Sequence, residues 1–218
     1  MYKKICVTNR ALAAHPFAEQ IKRVLDAKPD MLILREKDLS EADYENLAAS
    51  VKTLCERTET QLILHSYLEV ARKLGISAIH MPLAGFTAMS EEEKAEFIVR
   101  GASVHSVEDA LRAERAGATY VTAGHIYETD CKKGLPSRGL DFLKEVCAAV
   151  RIPVYAIGGI DEMNADACIA AGGRKQTIFS FVQDGIIPLS VGADKANLSI
   201  ETFKAEMRKA GYKLPANS

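Results

Sequence analysis

Nothing in the 218-residue chain reaches the roughly 18 consecutive apolar residues of a membrane-spanning helix. The opening stretch, MYKKICVTNR, lacks the long apolar core of a signal peptide. Neither charge is in excess: 28 Lys+Arg stand against 29 Asp+Glu, a net charge of -1. A protein that coats nucleic acid or an anionic membrane needs a basic surplus, so neither partner is expected. A small local anion site stays compatible with this balance. Cysteine is scarce and unpatterned: Cys6, Cys55, Cys131, Cys147 and Cys168 are odd in number and form no CxxC. That fits reduced, mostly buried thiols in a cytoplasmic protein. No linker, low-complexity tract or charge run marks a boundary, so residues 1–218 read as one domain.

What the chain does have is alternation. Short β-branched, apolar runs at 3–9, 31–37, 61–66, 78–82, 101–106, 120–128 and 152–160 read as strands. Helical patterns fill 15–27, 40–58, 67–75, 90–100, 106–117, 139–150, 163–173 and 199–213. In the first helix Phe17, Ile21, Val24 and Leu25 share a face. Ser40 is a candidate N-cap, Ser106 with Asp109 resembles a capping box, and Gly75 is a C-terminal stop. Alternating βα units imply a parallel sheet with helices outside it. So many units in so short a chain favour a single (β/α)8 TIM barrel over an open doubly wound sheet. The barrel needs an eighth strand between Gly173 and Ser199. TIFSFV (177–182) and GIIPLSVG (185–192) are the candidates, although Arg174-Lys175-Gln176 and Pro188 suit a central strand poorly.

A barrel gathers its active site at the C-terminal ends of its strands. There the chain places Arg35-Glu36-Lys37-Asp38, His65-Ser66, Ser103-Val104-His105-Ser106, a loop running from Gly124 to Gly134, and Gly158-Gly159. Two glycines before a helix serve either a plain left-handed turn or a phosphate held by backbone N–H groups. Four histidines on consecutive strands (His65, His80, His105, His125) raise a metal site. No HxH occurs, however, and strands 3 and 4 end without carboxylates. His80, between Ile79 and Met81, reads as a packing histidine. His125 stands in a Gly-His turn followed by Tyr127, Glu128, Thr129, Asp130, Lys132 and Lys133. An imidazole there is a candidate acid/base. Cys131 in the same loop reads as a bystander thiol.

These segments are familiar together. LREKD (34–38), SVHSVEDALRAERAGATYV (103–121), GHIYETDCKKGL (124–135) and IPVYAIGGI (152–160) resemble the thiamin phosphate synthase/TenI superfamily, in order and spacing, from about residue 31 to about 172. Synthases of that superfamily join a pyrimidine diphosphate to a thiazole phosphate with Mg²⁺. They carry Asn-Asp at the end of strand 3, a Gly-Gln-Glu-Asp-like segment after strand 4, and Gly-Pro at strand 6. This chain has His65-Ser66, Met81-Pro82-Leu83 and Gly124-His125 instead, so hard oxygen ligands for Mg²⁺ are missing.

The resemblance therefore implies a TenI-type thiazole tautomerase, an isomerase that needs no cofactor and aromatises a carboxythiazole phosphate with His125 as acid/base. Gly158 and Gly159 would hold the phosphate. Arg35, Lys37, Ser103, His105, Thr129 and Lys133 would line the pocket or steady the carboxylate, and Arg35 and Lys37 would share a face. Ser180 or Gln183 would complete the phosphate site if 177–182 forms strand 8. The alternatives are a Mg²⁺-dependent thiamin phosphate synthase, or a non-catalytic thiazole-phosphate-binding regulator in which an altered 173–192 stretch weakens the site. A homodimer is the family expectation.

Overall fold

The computed structural model describes residues 4–13, 15–129, 134–161 and 163–172, with the strand backbones at 177–178 and 189–191. Seven parallel strands follow one another: β1 (Lys4–Val7), β2 (Met31–Leu34), β3 (Gln61–His65), β4 (Ala78–Pro82), β5 (Val99–Val104), β6 (Tyr120–Gly124) and β7 (Val154–Ile157). Each neighbours the next in space, the order expected of successive right-handed βα units. β2 is buried along its whole length, as its unbroken Met-Leu-Ile-Leu run requires of a strand covered on both faces.

Helices cover the outside: α1 (Phe17–Asp26), α2 (Glu41–Cys55), α3 (Leu68–Lys73), α4 (Leu83–Ala88), α5 (Glu91–Ala95), α6 (Val107–Arg115), α7 (Gly139–Ala149) and α8 (Ala165–Gly172). α1 buries Ile21, Val24 and Leu25 and packs Phe17 on the core, the face its periodicity predicts. Ser40 and Ser106 cap α2 and α6 by accepting from the N–H of Asp43 and Asp109. Gly75 takes the left-handed conformation (φ 63°) that ends α3. Among the described residues no helix is long and apolar enough to cross a membrane. Cys6, Cys55, Cys147 and Cys168 are buried and form no disulfide.

The expectation of a closed eight-stranded barrel is met only in part. A two-residue strand, β8 (Thr177–Ile178), continues the parallel series beside β7. The other edge of the sheet differs: β9 (Leu189–Val191), from the second candidate segment, pairs antiparallel with β1. The curled sheet runs β8-β7-β6-β5-β4-β3-β2-β1-β9, and β9 comes within 8 Å, Cα to Cα, of both β7 and β8. No β8–β1 ladder closes the ring among the described residues. Residues 199–213, read as a last helix, and Ser180 and Gln183 lie outside them.

Elsewhere the elements differ from the sequence reading as well: the strands read over 120–128 and 152–160 end at Gly124 and Ile157. The stretch read as one helix over 90–100 is split, because Val99 and Arg100 pair with Ala78 and Ile79 and so belong to β5. The segment after β4, LAGFTA, forms α4. It carries no polar–apolar period to announce a helix; Pro82 starts it.

Tyr44 on α2 joins helix to sheet. Its buried hydroxyl donates to the Leu34 carbonyl at 2.7 Å and accepts the His65 N–H at 3.1 Å, tying the ends of β2 and β3 together. Tyr44→Phe leaves both backbone groups without that partner. The expected loss is about 2–4 kcal/mol of stability, measured by urea unfolding at an unchanged m-value.

Candidate active site

The register brings the C-terminal ends of the strands into one rim. Leu34 stands beside Leu64, His65 beside His80, Pro82 beside Ser103, Ser103 beside Thr122, and Gly124 beside Ile157. Every polar strand end singled out in the described part of the sequence therefore meets on the same side of the sheet.

Glu36 is turned toward β1 and buried. It accepts from the Thr8 hydroxyl at 2.6 Å and from the Arg10 N–H at 2.9–3.0 Å. Thr8 in turn accepts the Arg35 N–H at 2.8 Å. Burial pushes the Glu36 carboxyl up, against the lowering effect of these donors. Glu36 is thus a clamp between strand ends, a role its sequence neighbours did not announce.

Arg35, half-buried, and Lys37, exposed, follow β2, and both charges act on His65. Burial first, then Lys37 and Arg35, pull the His65 imidazole down to about 3. The Nδ1 of His65 is 2.7 Å from the Ser66 hydroxyl. Because the fold prefers the neutral ring, His65 contributes stability that is fully present above its ordinary value near 6.5 and is lost as pH falls toward 3. His80 is lowered too, by burial and then by His65, Arg35 and Lys37, and adds an effect of the same sign. The melting temperature should start to fall once pH drops below about 6.5, and should fall less steeply in His65→Gln.

Next along the rim, Pro82, Leu83, Ala84, Thr87 and Ala88 face Ser103, His105, Asp109 and Arg112 across an open cavity of about 610 Å³. α4 and Arg112, which the sequence did not single out, form its outer wall. His105 is exposed, and its Nδ1 lies 2.7 Å from the Gly124 carbonyl oxygen, linking β5 to the β6 loop.

Beyond it, His125 is 5% exposed. Its Nε2 lies 3.2 Å from the Leu135 carbonyl oxygen, and its Nδ1 is buried without a partner among the described residues. Thr129 is half-buried at the end of the described part of this loop. Asp130, Cys131, Lys132 and Lys133 lie outside the described residues.

The two glycines do more than turn the chain. Gly158 and Gly159 have φ of 101° and 62°, in the region that L side chains rarely adopt. A Cβ on Gly158 would collide with the Cβ of His125. One on Gly159 would collide with the Glu128 carbonyl oxygen and lie 2.8 Å from the Tyr127 carbonyl carbon. Ile126 and Tyr127 donate their N–H groups to the carbonyls of Ile157 and Gly158 at 2.9 and 3.0 Å. So the turn is sewn to the β6 loop through its carbonyls. Among the described residues no acceptor takes the N–H of Gly158, Gly159 or Ile160. Successive N–H groups at such a turn are what the phosphate reading of the glycine pair requires.

A divalent cation does not fit the positions where the resemblance places its ligands. Ser66 is occupied with His65, Met81 is buried, and Pro82 and Leu83 begin α4. Among the described residues no group of three or more His, Cys, Asp or Glu side chains is placed to hold a metal. Of the four histidines, His80 has both ring nitrogens engaged, to Tyr120 and Ser103.

Comparison with known proteins separates the family from the branch. The family profile described as thiamine monophosphate synthase matches residues 5–180. The thiamine-phosphate synthase of Clostridium acetobutylicum is 31% identical over 214 residues, covering 95% of this chain and 98% of that protein. That of Geobacillus kaustophilus is 31% identical over 183 residues, 82% and 83% of the two chains. Among solved structures, a thiamine phosphate pyrophosphorylase from Pyrococcus furiosus superposes with a TM-score of 0.69 at 24% identity, over 94% of this chain and 93% of that one. This last likeness concerns the fold. The full-length relatives carry the synthase name, which overturns the tautomerase (isomerase) reading built on the loop around His125 and the missing Mg²⁺ carboxylates.

Proposed function

The chain belongs to the thiamine monophosphate synthase family, and on that footing we propose that it is a transferase of the thiamine-phosphate synthase type. The proposed reaction joins a pyrimidine diphosphate to a thiazole phosphate. The methylene C–O bond of the pyrimidine diphosphate breaks and diphosphate leaves with the electron pair. The lone pair of the thiazole nitrogen then forms the new C–N bond, leaving a thiazolium. No proton is transferred, so the site must bind two anions, align them and stabilise the charge that develops on the leaving group.

The observation that carries this reading is likeness along nearly the whole chain to proteins named thiamine-phosphate synthase, within a family match over residues 5–180. In the proposal Arg35 and Lys37 take the diphosphate, and the N–H groups of Gly158 and Gly159 take the thiazole phosphate. Ser103, His105 and Thr129 line the space between, and Lys133 adds a cation from the β6 loop. His125 is proposed as support rather than as acid/base, since this reaction has no proton to shuttle. Its backbone backs Gly158 and its Nε2 holds the Leu135 carbonyl. Incubation with both substrates is expected to give thiamine phosphate and diphosphate in equal amounts. Absence of product, with both substrates bound, would sink the assignment.

A further inference from the structure

A buried polar chain runs behind the rim and ends at Ser103, and the reading above gives its inner members, Tyr120 and His80, no role. The Tyr120 hydroxyl is 2.9 Å from His80 Nδ1, and His80 Nε2 is 2.8 Å from Ser103 Oγ. The Thr122 hydroxyl reaches the same Ser103 oxygen at 3.2 Å. Tyr120 and His80 are each 3% exposed. They meet across β5 only because the residue between them is Gly101: a Cβ there would overlap the Tyr120 ring and His80 Nδ1.

The direction of these bonds follows from what each group would otherwise lose. Among the described residues Tyr120 has His80 as its sole hydrogen-bond partner. Were His80 Nδ1 to donate, the tyrosine proton would be orphaned in the core, which costs roughly 1–3 kcal/mol. Tyr120 therefore donates and Nδ1 accepts. Burial, then His65, Arg35 and Lys37, hold His80 well below its ordinary value, so the ring is neutral and its one hydrogen lies on Nε2. Nε2–H then donates to Ser103. The buried Thr122 hydroxyl, by the same reasoning, donates to Ser103 as well. With two bonds accepted, the Ser103 oxygen has its own proton left over, and Ser103 lines the 610 Å³ cavity.

We propose that Tyr120 and His80 are positioning residues that fix Ser103 as an outward hydrogen-bond donor. This commits that part of the rim to a ligand group that only accepts, such as a phosphate, diphosphate or carboxylate oxygen. The ligand class rests on the anion-site reading above; the bond direction does not.

Two measurements test it on the full chain. In ¹⁵N-histidine NMR of the unliganded protein, His80 is expected to carry its proton on Nε2; a proton on Nδ1 overturns the proposal. In calorimetry with inorganic diphosphate, Ser103→Ala and His80→Leu are each expected to weaken binding roughly tenfold. The double variant should be no worse than either single one, because His80 acts only through Ser103. His80→Gln, which keeps a donor, should restore binding. Additive losses, or no loss in Ser103→Ala, contradict the relay. A wild-type protein that fails to bind diphosphate overturns the ligand class. Diphosphate binding without coupling contradicts only the proposed reaction.

Discussion

Replacing Arg35 and Lys37 together by alanine is expected to weaken diphosphate binding, and to lower kcat/KM for coupling, by about 10²–10⁴-fold. Each side chain stands to make a charge-assisted hydrogen bond to the leaving group, worth about 1.5–3 kcal/mol, and every 1.4 kcal/mol is tenfold. The fold should survive, because Lys37 is exposed and Arg35 half-buried. The intervening Glu36 is the control. Its carboxylate is engaged by Thr8 and Arg10, so Glu36→Gln should lower stability and leave diphosphate binding close to wild type. Calorimetry and a melting curve on the variants separate these outcomes. Equal effects of the two changes on binding would contradict this division of roles.

Gly159→Val should act on stability and binding at once. A β-branched residue at φ 62° carries backbone strain of about 1–3 kcal/mol. Its Cβ must also displace the Glu128 carbonyl oxygen and the Tyr127 backbone, an overpacking cost of about 1–3 kcal/mol. The sum, about 2–6 kcal/mol, corresponds to a fall in melting temperature of about 4–24 °C in a chain of this size. Separation of the turn from the β6 loop would also tilt the N–H groups of Gly158, Gly159 and Ile160. Affinity for a phosphate ester should therefore drop more than the loss of one donor explains. A stable Gly159→Val protein with unchanged phosphate affinity would remove the turn from the site.

The strands and most helices were legible because their signals are local. Four buried residues in a row mark β2. A serine before an acidic turn marks the start of α2 and of α6, and Gly75 marks the end of α3. α4 was hidden because LAGFTA has no amphipathic period, and the start of β5 was hidden because Val99 only becomes a strand residue by pairing with Ala78. Closure was hidden for a related reason. Whether an apolar run such as 185–192 lies parallel or antiparallel depends on its partner, and Leu189–Val191 turned out to run against β1.

In the site, the left-handed turn at Gly158-Gly159 was legible in the glycine pair, whereas the roles of Glu36 and His80 depended on contacts with Thr8, Arg10, Tyr120 and Ser103 that no spacing encodes. The branch is carried by likeness spread along the whole chain, which the Gly-His loop and the missing carboxylates, a few positions each, do not reflect.

The coupling itself is followed most directly by ³¹P NMR, with the wild-type protein, a pyrimidine diphosphate and a thiazole phosphate in one tube. Inorganic diphosphate and thiamine phosphate should rise at one common rate and in equal amounts, and both signals should vanish in the Arg35→Ala/Lys37→Ala protein. Unchanged substrate spectra, or diphosphate released without thiamine phosphate, would contradict a synthase at this rim.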